Sequence, residues 1–122
     1  EIPGIPALPQ RSLPDAGVRV ASSSVGPIGV DPLLALRAAV TRLATPKRRV
    51  HPDEAISPEA WLRMATREGA RAAGSLDVAG SIEPGKRADL VVLSHDPLDP
   101  KSLDALRVHA TLLAGELVHG SL

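Results

Sequence analysis

"GSIEPGKRADLVVL", residues Gly80 to Leu93, separates Gly80 from Gly85 by four residues and then places Lys86. This is most of a phosphate-binding loop, G-x-x-x-x-G-K-[ST], and whether it is one decides the fold. Such a loop follows a strand, aims successive backbone N–H groups at phosphates, and opens a helix. Here the order is reversed, because a helical pattern precedes the glycines and a β-branched run follows them. Arg87 stands where a hydroxyl would hold magnesium, and Pro84 removes an amide donor from the cradle. The nucleotide reading fails. A Pro-Gly turn feeding a strand explains the same residues.

Working outward, the period changes at Gly80. Upstream, Asp31-Pro32 is a helix start, with Asp as N-cap and Pro at the first helical position. Leu33, Leu36, Val40 and Leu43 then form one apolar stripe, which Pro46 stops. "KRRVHPDE" reads as a charged surface loop. Ser57-Pro58 repeats the start signal for a helix running to about Ala73. Its small face, Leu62, Ala65, Gly69 and Ala72, implies close approach to a neighbour, and Gly74 is the expected C-terminal cap. Trp61, the lone aromatic residue, is expected to anchor that helix.

Prolines 3, 6, 9 and 14 make residues 1–17 an irregular lead-in. Val18–Ala21 alternates as a short strand, followed by a Ser-, Gly- and Pro-rich loop. Downstream, Ala88–Leu93 is predicted as a mostly buried strand and Lys101–Leu106 as one or two helical turns. Val108–Leu113 and Leu117–His119 should form a hairpin around Ala114-Gly115. Asp89, at the start of a strand, is expected to bond nearby backbone or a basic neighbour, since an unpaired buried carboxylate is costly.

Composition bounds the rest. The 122 residues amount to at most one domain. The formal charge of zero gives no global attraction to nucleic acid or to an anionic membrane. Without cysteine there is neither disulfide nor thiolate metal site. No apolar run reaches the length of a membrane span and no signal pattern opens the chain, so the expected location is cytoplasmic. The first residue is Glu1, which suggests a processed or partial chain. With Phe and Tyr absent, the core must be thin or completed by other chain.

"GSIEPGKRADLVVLSHDPL" resembles a segment near the C-terminus of amidohydrolase-superfamily enzymes, G-S-[IL]-x-P-G-K-x-A-D-[LI]-V-[VL]-[LW]. "AISPEAWLRMATREGARAAG" resembles the family's last barrel helix, and "VHATLLAGELVHG" its terminal hairpin. "GVRVASSSVGPIGVDPLLALRAAVTR" resembles the eighth barrel strand with its following loop, and its second half points to the amidohydrolase-3 branch. The resemblance implies an α/β fold made of the end of a (β/α)8 barrel and part of a small β-sandwich. The division expected is a lead-in at 1–17, a barrel-end strand and two helices at 18–79, and sandwich strands with a terminal hairpin at 80–122.

It also implies metal-dependent hydrolysis of non-peptide C–N bonds. In the family, barrel strands supply an H-x-H pair, a carboxylate or carbamylated lysine, and two more histidines around one or two divalent ions. An Asp ending the eighth strand, within V-x-V-A-x-G-S-D-x-P, acts as base. Ala21, Ser24 and Pro27 match that text, but Val25 occupies the Asp position, and Asp31 is accounted for as a cap. A valine neither accepts a proton nor ligates a cation, so no catalytic residue is expected in this chain.

His51, His95, His109 and His119 show no ligand spacing, although the last two can approach across the hairpin. Lys86 and Arg87 read as turn-flanking charges rather than an anion site, and Lys47, Arg48 and Arg49 as a solvated run. The expectation is therefore no metal or cofactor bound by this chain, with a Zn-like divalent metal in the full-length family. Its partner would be the barrel portion, and an amide-type small molecule would be substrate only with the barrel complete. The alternative is a non-catalytic structural remnant, or the smaller piece of a split barrel enzyme.

Overall fold

The computed structural model describes residues 8–23 and 31–122. They combine helices with two antiparallel sheets. The lead-in carries one helical turn, α1 (Ser12–Asp15), where the proline pattern predicted irregular chain. Pro14 is tolerated because it lies in the first turn, where an N–H has no intrahelical acceptor. α2 (Pro32–Thr41) starts as expected, with the Asp31 carboxylate accepting from Leu33 N at 2.9 Å.

α2 ends earlier than its stripe predicts. Arg42 turns left-handed (φ 55°), so Arg42, not Pro46, is the stop, and Leu43 leaves the stripe for an exposed position. The bend is held from both sides. Val50 N donates to Arg42 O at 2.9 Å, and Arg42 Nε returns a bond to Val50 O at 3.0 Å. These bonds close a two-stranded ribbon, β1 (Leu43–Thr45) with β2 (Arg48–Arg49), followed by a 3₁₀ turn, Pro52–Glu54. The sequence pattern predicts loop for this stretch because two-residue strands carry no periodicity.

The second helix begins where Ser57 predicts, its hydroxyl accepting from Ala60 N at 3.1 Å. It runs as α3 (Pro58–Arg63), a π turn (Met64–Glu68) and α4 (Gly69–Ala72), and Gly74 follows at φ 68°. Within the π turn, the Thr66 hydroxyl bonds Leu62 O at 2.7 Å, a back-bond that competes with the regular ladder. The buried face is Pro58, Trp61 and Met64. Of the expected face, Leu62, Ala65 and Gly69 are half-buried and Ala72 is exposed. The close neighbour is Gly80. A Cβ there would lie 2.6 Å from Ala70 Cβ and 3.2 Å from Arg67 Cα.

The larger sheet has the order β3 (Leu90–Leu93), β4 (Val108–Leu113), β5 (Glu116–Gly120). The predicted hairpin is present, with Ala114 (φ 52°) and Gly115 (φ 87°) both left-handed, as its tight turn requires. Asp89 braces that turn. Its Oδ1 accepts from Ala114 N at 2.9 Å, while Ala88 O accepts from Gly115 N at 2.9 Å. Arg87 Nε donates to Asp89 Oδ2 at 2.6 Å.

Three expectations are corrected. Val18–Ala21 forms no strand and joins no sheet among the described residues. Among the described residues this stretch is tied by Val18 N to Leu13 O, and Ser22 just beyond it by its N to Met64 O. A strand needs a neighbour to complete its ladder, and alternation alone does not supply one. The Ala88–Leu93 strand is only partly buried, with Val91 56% and Val92 36% exposed, because one sheet layer covers one face. Lys101–Leu106 forms turns, not helix: Asp96 and Asp99 carboxylates cap Leu98 N and Lys101 N, and Ser102 Oγ bonds Asp99 O.

The core is Leu36, Ala39, Trp61, Leu103 and Leu106, with Leu93 packed against it, and Trp61 anchors it as expected.

Gly80 and Gly85 frame the opening motif at φ 89° and 88°, but a Cβ at Gly85 meets nothing within 4 Å. Gly85→Ala therefore carries only the left-handed penalty, about 1–2 kcal/mol. Gly80→Ala adds the clash with Ala70 Cβ and should cost about 2–4 kcal/mol in urea unfolding. Equal costs would contradict this packing. The Arg87 bond first, and then the Ala114 N–H, hold the Asp89 carboxyl below its usual range. Its stabilisation is present above the unfolded value of about 3.9 and is lost as pH falls through the lower folded value. Asp89→Asn should flatten that acid limb of stability against pH.

Candidate functional site

A groove of about 510 Å³ lies between the lead-in and the two helices. One wall is the segment Val20 to Ser23, and the other comprises Ala35, Ala39, Trp61 and Met64. Local sequence builds each wall. The small residues of α2 leave room, and the N-capped α3 sets Trp61 against Leu36. Polar groups enter from Gln10, Ser22, Ser23 and Arg42.

Arg42 and Glu54 are the buried charged residues among those described, 8% and 2% exposed. Arg42 Nη1 donates to Gln10 Oε1 at 3.3 Å. Glu54 Oε2 accepts from Arg11 N at 2.8 Å and Ser12 N at 3.0 Å, and its Oε1 from the Ser12 hydroxyl. Sequence reasoning missed both. Glu54 and Arg42 each bond residues 10–12 from about thirty to forty positions away, beyond any local pattern.

Chemically the groove offers hydroxyls, an amide and a guanidinium, with no His, Asp or Glu among its lining residues. Its described lining therefore offers no carboxylate or imidazole as a general base. Val25, with Ser24 and Pro27, lies outside the described residues. The histidines do not converge. His51 is left-handed before Pro52, and His95 Nδ1 pairs with Ser94 Oγ at 2.9 Å. Thr111, not His109, is the direct cross-strand partner of His119. Among the described residues no group of three or more His, Cys, Asp or Glu is placed to hold a metal.

Lys86 is more than a surface charge. Its side chain is 13% exposed and donates to Ser81 Oγ at 2.6 Å, with Glu83 Oε2 at 3.7 Å. The Ser81 hydroxyl first, and then the Lys86 charge, keep the Glu83 carboxyl below its ordinary range. The lysine thus closes its own turn through Ser81 and Glu83. Lys47, Arg48 and Arg49 are exposed at the ribbon, as expected. Among the described residues no helix is long and apolar enough to cross a membrane.

Known proteins resemble this arrangement over nearly the whole chain. The N-substituted formamide deformylase of Arthrobacter pascens is 42% identical over 112 residues, 89% of this chain and 21% of that protein. The solved amidohydrolase of Thermotoga maritima MSB8 superposes with TM-score 0.65 at 29% identity, over 92% of this chain and 26% of that one. An atrazine chlorohydrolase from Arthrobacter aurescens TC1, solved with zinc, gives TM-score 0.66 at 29% identity, over 92% of this chain and 27% of that one. The chain thus spans about a quarter of the length of these relatives. The profile described as "Amidohydrolase family" matches residues 3–119, and the chain belongs to the amidohydrolase family.

Proposed function

We propose that this chain is the C-terminal part of a metal-dependent amidohydrolase acting on non-peptide C–N bonds, and that it contributes packing rather than chemistry. On this reading residues 18–79 are the end of a barrel and residues 80–122 belong to a small sandwich domain. The observation that carries the reading is the groove, bounded by a segment in no sheet and without a carboxylate or imidazole among its described lining residues. The family assignment and the quarter-length match support it.

A divalent cation does not fit the described residues. Among them no three His, Asp or Glu side chains cluster, the groove's described lining supplies only neutral or cationic groups, and metal sites of this class need several converging imidazoles or carboxylates. No hydrolytic step is therefore derived through a metal held by this chain. Its residues shape and exclude. Trp61 and Met64 floor the groove, and Ser22 N bonded to Met64 O at 3.0 Å fixes the adjoining wall.

A second reading, a non-catalytic interaction piece that completes a separate barrel chain, is favoured by apolar exposure at Leu34 (52%), Leu113 (56%) and Val118 (58%). Both readings give the chain no catalytic group of its own.

Elemental analysis of the purified chain after zinc loading and desalting is expected to find under about 0.1 equivalents of zinc. An N-substituted formamide should remain unhydrolysed. Zinc near one equivalent, or turnover, would overturn the assignment. Light scattering separates the two readings, since a barrel-bearing chain that co-purifies in fixed ratio supports the second.

A further inference from the structure

The two buried charged side chains lie on different elements, Arg42 at the end of α2 and Glu54 in the 3₁₀ turn, yet both face residues 10–12. Burying a carboxylate is costly unless its lone pairs are filled. Glu54 fills them with two backbone N–H groups and a hydroxyl, all from Arg11 and Ser12. Those amides belong to the start of α1, whose first N–H groups have no helical acceptor. The carboxylate is thus a long-range cap, supplied from 42 residues away.

The stretch after α1 is short and tied. Gly17 N bonds Pro14 O and Val18 N bonds Leu13 O, so the turn after α1 is closed upon it. Five residues after Gly17, Ser22 N reaches Met64 O, a carbonyl of the π turn. From Val18 to Ser22 the segment has no ladder of its own among the described residues. Its course is therefore set by its two ends, the clamped turn at 10–18 and the bond at Ser22.

We propose that Glu54, assisted by Arg42, is a positioning residue for the groove wall. By holding residues 10–12 it fixes the origin of the segment Val18 to Ser23, and with it the point at which the chain leaves for residues 24–30. This inference goes beyond the hydrolase reading and does not depend on it, because its readouts are structural and need no substrate.

Amide hydrogen exchange on the 122-residue chain tests it. Glu54→Ala should speed exchange at Arg11 and Ser12 and, through the segment, at Ser22, each by at least about tenfold. Val91 and Thr111, in the β3–β4 pair, should keep their protection. Trp61 emission should shift to the red as the wall lifts from it. If Arg11 and Ser12 are released while Ser22 is unchanged, Glu54 is a local cap only and the proposal is wrong. If Glu54→Ala unfolds throughout, Glu54→Gln, which keeps an acceptor oxygen and the volume, replaces it. Faster exchange confined to Arg11, Ser12 and Ser22 supports positioning. Uniform loss that includes the sheet, or no change at Ser22, overturns it.

Discussion

Trp61 packed on Leu36, Leu103 and Leu106 is the contact on which the other elements depend. It joins α2, α3, the 101–106 turns and, through Leu93, the sheet. A chain whose single aromatic side chain sits at that crossing has little apolar area in reserve. Elsewhere, specific polar devices replace bulk. The Arg42–Val50 exchange ends a helix, the Asp89 brace holds a hairpin, and the Glu54 carboxylate caps a remote turn.

This economy accounts for the exposed apolar residues. A three-stranded antiparallel sheet can bury one face on a small core, and Ala110 (0% exposed) marks the buried side. Val91, more than half exposed, marks the side that this core does not reach. The same holds at Val18–Ala21, whose alternation suits a sheet that the described residues do not form. The relatives, about four times as long, are built on more chain than these residues provide.

The features readable in the sequence are local. Asp31 and Ser57 act as caps, Gly74 and the Ala114-Gly115 pair take left-handed conformations, and Asp89 finds both kinds of partner expected of it. The caps and left-handed residues depend on one turn each, whereas Asp89 also reaches a hairpin 25 residues on. The early stop at Arg42 is hidden because a left-handed arginine has no sequence signal and is held by Val50. Glu54 is hidden for the same reason at longer range. Of the candidate site, the Trp61 anchor is legible in the sequence, while the two buried charges beside the groove are not.

Ala88 and Asp89 each hold one residue of the hairpin tip through a single bond, to Gly115 and Ala114. Gly80, at the other end of the same motif, is wedged against α4. The motif is therefore a strap running from helix to hairpin. Recombination that exchanged the terminal hairpin alone would leave Ala114 in a left-handed turn without its brace. The unit that can be exchanged intact runs from Gly80 to the end of β5, and a crossover inside it breaks the strap.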